Sequence, residues 1–164
     1  MNLVRPLWAV FCLIFPGLSL SAATVSFLVI ETGLEEEKTA EASAHWESGL
    51  MDVFFEEGHV VSNAPIKRLA QKPETVFPEE ARADFNDARE GGADFFILAL
   101  LDYRKTAEDP APKPQGISLR LFRVNPYQFI VEQRHSGGSS APVSEEFITA
   151  RNAARAMVSH IKDR

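Results

Sequence analysis

The stretch Ala93-Asp-Phe-Phe-Ile-Leu-Ala-Leu-Leu101 is the most apolar part of the chain after its first 23 residues. A strand with one face in water alternates apolar and polar residues, whereas a strand buried on both faces is apolar throughout. Gly91 and Gly92 stand immediately before this stretch, where they are expected to end a preceding helix. We therefore predict a central strand here, in a sheet that is covered on both faces.

The amino-terminal side of this strand is predicted to contain another strand and a long helix. Residues 24–30 (TVSFLVI) are β-branched and apolar, which is typical of a buried strand. A helix can begin at Thr32, with Glu35 as its capping-box partner, and continue to about Glu57. Five residues of this helix recur at the spacing of one buried face: Ala42, Trp46, Leu50, Val53 and Phe54.

The segment after this helix is predicted to return to the sheet. Gly58 is placed to end the helix, and residues 59–63 (HVVSN) predict a second strand. The two strands and the helix between them would form a right-handed βαβ unit. Residues 64–78 contain three prolines and are predicted to be a surface loop, and residues 79–89 a second helix.

The carboxyl-terminal side of the central strand is predicted to form a hairpin. In residues 117–124 apolar side chains alternate with Ser118 and Arg120, which predicts a half-buried strand with these two residues on the solvated face. Asn125-Pro126 is a turn signal, and residues 128–134 supply the returning strand.

A final helix is predicted after Ser144, and it offers six apolar residues to the sheet: Phe147, Ile148, Ala154, Met157, Val158 and Ile161. The element order is then β-α-β-α-β-β-β-α. We expect a single α/β (α+β) domain over residues 24–164, with three helices and a mixed sheet of about five strands.

The first 23 residues have the three parts of a secretory signal peptide. Arg5 supplies positive charge, residues 7–15 are apolar, and Ser21-Ala22-Ala23 offers small residues at a cleavage point. The apolar run is too short to cross a bilayer of roughly 30 Å. The alternative is an uncleaved anchor. Cleavage after Ala23 would release a periplasmic or secreted protein.

Charge and cysteine content exclude several classes of protein. The formal net charge of the 164-residue chain is -6, so the surplus of Lys and Arg that a general nucleic-acid binder needs is missing. Cys12 is the only cysteine, and it lies within the predicted signal peptide. The mature chain is therefore expected to have no disulfide and no thiol nucleophile. It also has no second apolar run of about 18 residues, so no membrane span is expected in it.

No catalytic motif stands out, and we assign no catalytic, cofactor-binding or metal-binding residue. The chain contains no phosphate-binding glycine loop, no H-E-x-x-H and no G-x-S-x-G. Asp94 and Asp102 flank the central strand, but eight residues of strand would separate them by about 26 Å. That is too far for a pair of glycosidase carboxylates. No cofactor is expected, and enzyme activity is disfavoured but left open.

Three segments carry a resemblance to a known group of domains. They are residues 25–30, the stretch Ala88-Arg-Glu-Gly-Gly-Ala-Asp-Phe-Phe-Ile-Leu98 and the stretch Ile117-Ser-Leu-Arg-Leu-Phe-Arg-Val124. With the element order, they resemble the small α/β periplasmic domain of the curli secretion lipoprotein, of lipoprotein activators of penicillin-binding proteins and of the TolB amino terminus. The chain lacks the lipid-bearing cysteine of the lipoproteins. The resemblance implies an envelope protein that acts by binding other proteins.

Three functional hypotheses follow. The first is a periplasmic protein-binding adaptor or accessory factor, whose unidentified partner is an envelope protein. The second is a small-ligand binder or hydrolase that uses the strand ends near Glu31, His59 and Asn63, since strand ends in α/β sheets collect ligands. The third is a secreted effector. Candidate surface residues for a partner or ligand are Glu31, His59, Asn63, Tyr103, Arg120 and Tyr127.

Overall fold

The computed structural model of the chain describes residues 22–34, 40–103, 112–137 and 142–162. The predicted signal peptide lies outside the described residues except for Ala22 and Ala23. Glu35, the predicted capping partner of the first helix, also lies outside them.

The described chain forms one mixed sheet and three helices, as the sequence predicted. The strands follow the order β2-β1-β4-β5-β6, and β3 also pairs with β1. Strands β2, β3 and β4 each pair parallel with β1, whereas β5 pairs antiparallel with β4 and with β6. The elements are β1 (Thr24–Thr32), α1 (Glu41–Glu56), β2 (Val60–Asn63), β3 (Lys67–Leu69), α2 (Arg82–Glu90), β4 (Phe95–Asp102), β5 (Gly116–Arg123), β6 (Gln128–Ser136) and α3 (Glu145–Lys162).

Strands β1 and β4, in the middle of the sheet, are buried on both faces. On one face α1 and α3 cover the sheet around Phe27, Ile97 and Leu121. On the other face α2 packs through Phe85 against the cluster that contains Phe96. Burial on two sides explains why β4 is apolar along its length, and it confirms the predicted central strand.

Two glycines end the first two helices in the same way. Gly58 has φ +84° and Gly92 has φ +78°. The amide of His59 donates to the Phe54 carbonyl, five residues back, and the amide of Ala93 donates to the Ala88 carbonyl in the same pattern. These are Schellman ends, which require a left-handed residue and therefore favour glycine. Both predicted helix stops are confirmed.

Thr32 ends β1 instead of beginning the first helix. Its carbonyl accepts the Tyr103 amide, and its hydroxyl lies 3.1 Å from Asp102 Oδ1. Pairing with the end of β4 therefore extends β1 to Thr32, and α1 begins at Glu41. The predicted capping box was wrong because long-range strand pairing outweighs the local helix signal.

Three smaller expectations were also wrong. The predicted loop at residues 64–78 contains β3, which pairs with β1 beside Ile30–Thr32. Ser118 and Arg120 are buried rather than solvated, because residues 75 and 76 lie over that face of β5. Ile148 does not cover the sheet but is exposed on α3.

The contact between α1 and α3 depends on a glycine. A Cβ atom built on Gly49 would lie 2.6 Å from the Phe147 carbonyl oxygen and 2.8 Å from the Ala150 Cβ. Real Cβ atoms do not approach other atoms so closely. Gly49 therefore permits a short distance between α1 and α3, which any other residue at this position would increase.

Gly49→Ala is expected to lower the free energy of unfolding by about 1–3 kcal/mol, because overpacking outweighs the better helix propensity of alanine. Chemical denaturation measures this change. Ser48→Ala, at an exposed position on the same helix, is the matched control and should change stability little. Equal stability of the two variants would contradict the close packing of α1 on α3.

Candidate functional site

The carboxyl ends of β1 and β4 hold a group of polar side chains. Glu31 is buried, and its Oε2 accepts hydrogen bonds from Arg68 Nε at 3.2 Å and Nη2 at 2.8 Å. Its Oε1 accepts the backbone amide of Ala40, which immediately precedes α1, at 2.9 Å. Glu31 therefore ties β1, β3 and the start of α1 together.

Tyr103 lies beside Glu31 and is also buried. Its hydroxyl is 2.7 Å from the Ser43 hydroxyl on α1. Burial raises the pKa of the Tyr103 phenol well above its ordinary value, and the neighbouring carboxylates of Glu31 and Glu146 add to this rise. A phenol in this state stays protonated and serves as a hydrogen-bonding group of the core.

His59 and Asn63 do not join this group. His59 lies at the opposite end of the sheet, where its Nδ1 accepts the Ala23 amide at 3.2 Å. Asn63 pairs with Phe27, which is four residues or about 13 Å of strand before Glu31. The structure therefore does not bring Glu31, His59 and Asn63 to one strand end, because β2 runs alongside the first half of β1 only.

Asn63 lines a different feature, an open cavity of about 330 Å³ between the β2 edge and α2. Ser26 contributes from β1, and Asp84 and Asp87 contribute from α2. The Asn63 amide also donates to Glu47 Oε1 at 3.0 Å. The lining mixes polar and apolar residues, and the volume is at the lower end of the range for small-molecule sites.

Arg120 has a structural role on the face of the sheet that also packs against α2. Its Nη1 donates to the carbonyls of Thr75 and Val76 at 2.8 and 2.9 Å, and its Nε donates to Glu132 Oε1 at 3.0 Å. These bonds hold residues 75–76 over β5. The guanidinium is buried and bonded through Nε and Nη1, so Arg120 does not lie on a solvated face as the sequence predicted.

Glu132 on β6 completes the Arg120 network. Burial alone would raise the pKa of the Glu132 carboxyl, but hydrogen bonds from Ser118, Arg134 and Arg120 outweigh it and lower the pKa to about 2. The carboxylate is therefore charged throughout the ordinary pH range.

Tyr127 lies in an exposed aromatic patch, which we define as Val76, Phe77, Tyr127 and Phe129. Tyr127 is 56% exposed and Phe129 is 40% exposed. The Tyr127 ring stacks on Phe122 at 6.0 Å and meets Phe77 edge-on at 6.0 Å. The patch is thus the outer layer of a packed aromatic cluster and is supported from below.

Sequence reasoning found only part of this patch. Of the candidate surface residues named from the sequence, Tyr127 lies in the patch and Tyr103 does not. Tyr103 is instead buried at the other end of β4. Val76 and Phe77 were assigned to a loop, although two adjacent apolar residues after the polar stretch 71–75 (QKPET) were the signal that they cover the sheet.

Among the described residues no group of three or more His, Cys, Asp or Glu side chains is placed to hold a metal ion. In the same residues no helix is both long and apolar enough to cross a membrane.

A family model described as "Uncharacterised protein" matches residues 24–117. The chain belongs to this family. The search among curated proteins found no match.

Several solved structures are similar to this chain. A PelC dodecamer from Paraburkholderia phytofirmans, a single-substitution variant, is 17% identical with a TM-score of 0.51, over 85% of this chain and 89% of that one. TolB from Acinetobacter baumannii is 9% identical with a TM-score of 0.42, over 85% of this chain and 28% of that one. The LpoB C-terminal domain from Escherichia coli is 12% identical with a TM-score of 0.42, over 74% of this chain and 87% of that one. The resemblance drawn from the sequence is confirmed for the fold.

Arg68→Met is expected to lower the free energy of unfolding by about 3 kcal/mol, because it leaves the buried Glu31 carboxylate without its cation. Lys72→Met is the matched control. Lys72 lies 3.7 Å from Asp102 and is half exposed, so its loss should cost under about 1 kcal/mol. Urea denaturation of both variants measures the difference, and equal losses would contradict a structural role for the Glu31–Arg68 pair.

Glu132→Gln is expected to weaken the dependence of the unfolding free energy on pH below about pH 5. A carboxyl whose pKa is lower in the folded state stabilises the fold above its unfolded pKa of about 4.3, and this contribution is lost as pH falls towards 2. The wild type should therefore lose more unfolding free energy between pH 5 and pH 2 than the variant. Glu74→Gln, at an exposed position, should keep the wild-type slope. Parallel profiles for wild type and Glu132→Gln would refute the assignment.

Proposed function

We propose that the protein is exported to the cell envelope and acts there as a protein-binding adaptor. In this proposal residues 1–23 are a cleaved signal peptide and residues 24–164 are the working domain. The partner is an envelope protein that docks on the aromatic patch.

The aromatic patch is the observation that carries this proposal. Tyrosine and phenylalanine are enriched at the centres of protein interfaces, because they bury large areas with few rotatable bonds. Here the buried Phe122 ring contacts the exposed Tyr127 and Phe129 rings, and Phe77 meets Tyr127 edge-on. The patch is therefore preorganised, which reduces the entropy lost when a partner binds.

The other candidate residues support a binding role over a chemical one. Glu31 is engaged by Arg68, Tyr103 by Ser43, and Arg120 by two backbone carbonyls and Glu132. Groups held this way stabilise the scaffold that presents the patch.

A second candidate function is the binding of a small polar molecule, and the cavity near Asn63 is the observation that favours it. Asp84 and Asp87, with Ser26 and Ser62, are among the residues that line this cavity. They suit a ligand rich in hydroxyl or amino groups. Lys67 contacts Asp84, so part of this acidic charge is already balanced within the chain.

The proposal is tested by cross-linking the full chain in cells and recovering it with its partner from the envelope fraction. Mass spectrometry should find an amino terminus at Thr24 and one dominant envelope partner. The double variant Tyr127→Ser/Phe129→Ser should lose at least about tenfold of the recovered partner, because each aromatic at an interface centre contributes substantially to binding.

Phe55→Ser is the matched control, since Phe55 is 69% exposed on α1, away from the patch. It should leave recovery unchanged. A full-length chain in the cytoplasm would contradict export. Equal recovery with the wild type and the double variant would contradict docking on the patch.

A further inference from the structure

The backbone groups along the outer edge of β6 form no hydrogen bonds with another described strand. In the sheet β6 pairs with β5 on one side and stands last in the strand order. The pairing with β5 is irregular between Leu121 and Phe122, near the beginning of β6, and regular over Val131–Ser136. An exposed, regular edge is a template for pairing with another chain.

The charges along this edge complement one another. Glu132 and Arg134 are two residues apart, so their side chains lie on the same face of the strand, and Arg134 Nη2 lies 2.8 Å from Glu132 Oε2. Arg134 is 77% exposed, so it can also reach a neighbouring chain.

Only one symmetric register uses both charges favourably. When two β6 strands pair antiparallel about a two-fold axis, a centre at Glu132 or at Arg134 places like charges opposite each other. A centre at Gln133 places Glu132 opposite the partner's Arg134 and, by symmetry, Arg134 opposite the partner's Glu132. This register also pairs Val131 with the partner's His135, within the regular part of the strand.

We propose that two copies of this chain pair antiparallel through β6, centred on Gln133, to form one continuous sheet across the dimer. The axis is perpendicular to the sheet, so α1 and α3 of both copies lie on the same side. The proposed pairing of Val131–His135 leaves Tyr127, which precedes β6, and Phe129, at the beginning of β6, outside the paired segment. The inference therefore goes beyond the adaptor function and does not depend on it.

Sedimentation equilibrium tests the dimer and its charge pairing. The wild type should show a concentration-dependent monomer–dimer equilibrium that weakens with added salt. Arg134→Glu should raise the dimer dissociation constant by about tenfold, because it replaces two attractive cross-strand pairs with two repulsive ones. Arg155→Glu makes the same charge change at an exposed site on α3 and should leave the constant unchanged.

Single cysteines test the register, in a chain that also carries Cys12→Ser. Under mild oxidation, Gln133→Cys should form a disulfide-linked dimer, because the two residues face each other across the axis. Loss of the Gln133 amide should be tolerated, since its Oε1 is buried without a hydrogen-bond partner among the described residues. Two cysteines at position 136 would lie about 20 Å apart, so Ser136→Cys should stay monomeric on the gel.

Three outcomes would overturn the proposal. They are a wild type that sediments as a monomer at every concentration, equal effects of Arg134→Glu and Arg155→Glu, and cross-linking at position 136 in place of position 133. A monomer that still acquires an extended peptide along β6 would assign this edge to a different chain.

Discussion

Burial of both faces of the β1–β4 pair is the constraint on which the rest of the fold depends. Strands covered on both sides need helices on both sides, and the chain supplies α1 and α3 for one face and α2 for the other. Because these strands are buried along almost their whole length, polar side chains near their carboxyl ends also lie close to the core. Glu31 is tolerated there because Arg68 and the Ala40 amide bind its carboxylate.

The unequal number of helices explains where the surface is apolar. On the second face α2 covers the half of the sheet formed by β1 and β4, where Phe85 meets Phe96. No described helix covers β5 and β6 on that face. Residues 75–77 take this place, anchored by Arg120, and Phe77 packs on Phe122 at 5.1 Å. A short segment covers less than a helix, so Tyr127 and Phe129 remain exposed.

The sequence predicted the architecture well because its strongest signals are local and redundant. The apolar run of β4, the buried face of α1 and the two helix-ending glycines each predict one structure, and each is confirmed. Thr32 shows the limit of such signals, since its capping pattern was local while the pairing with Asp102 comes from 70 residues away.

The candidate site was harder to predict for the same reason. Alternation in β5 correctly placed Ser118 and Arg120 on one face, but no local pattern indicated that residues 75–77 would cover that face. Tyr103 and Tyr127 both lie near strand ends, and only the strand directions reveal that they lie at opposite ends of the sheet. Functional surfaces therefore depend on long-range packing, which periodicity does not encode.

Hydrogen–deuterium exchange on the partner complex tests most directly whether the aromatic patch is the working surface. We expect binding to slow exchange in residues 74–78 and 122–130. Exchange in residues 30–34 and 66–72, at the carboxyl ends of β1 and β3, should stay unchanged. Protection confined to those carboxyl ends, with the patch unchanged, would contradict docking on the patch.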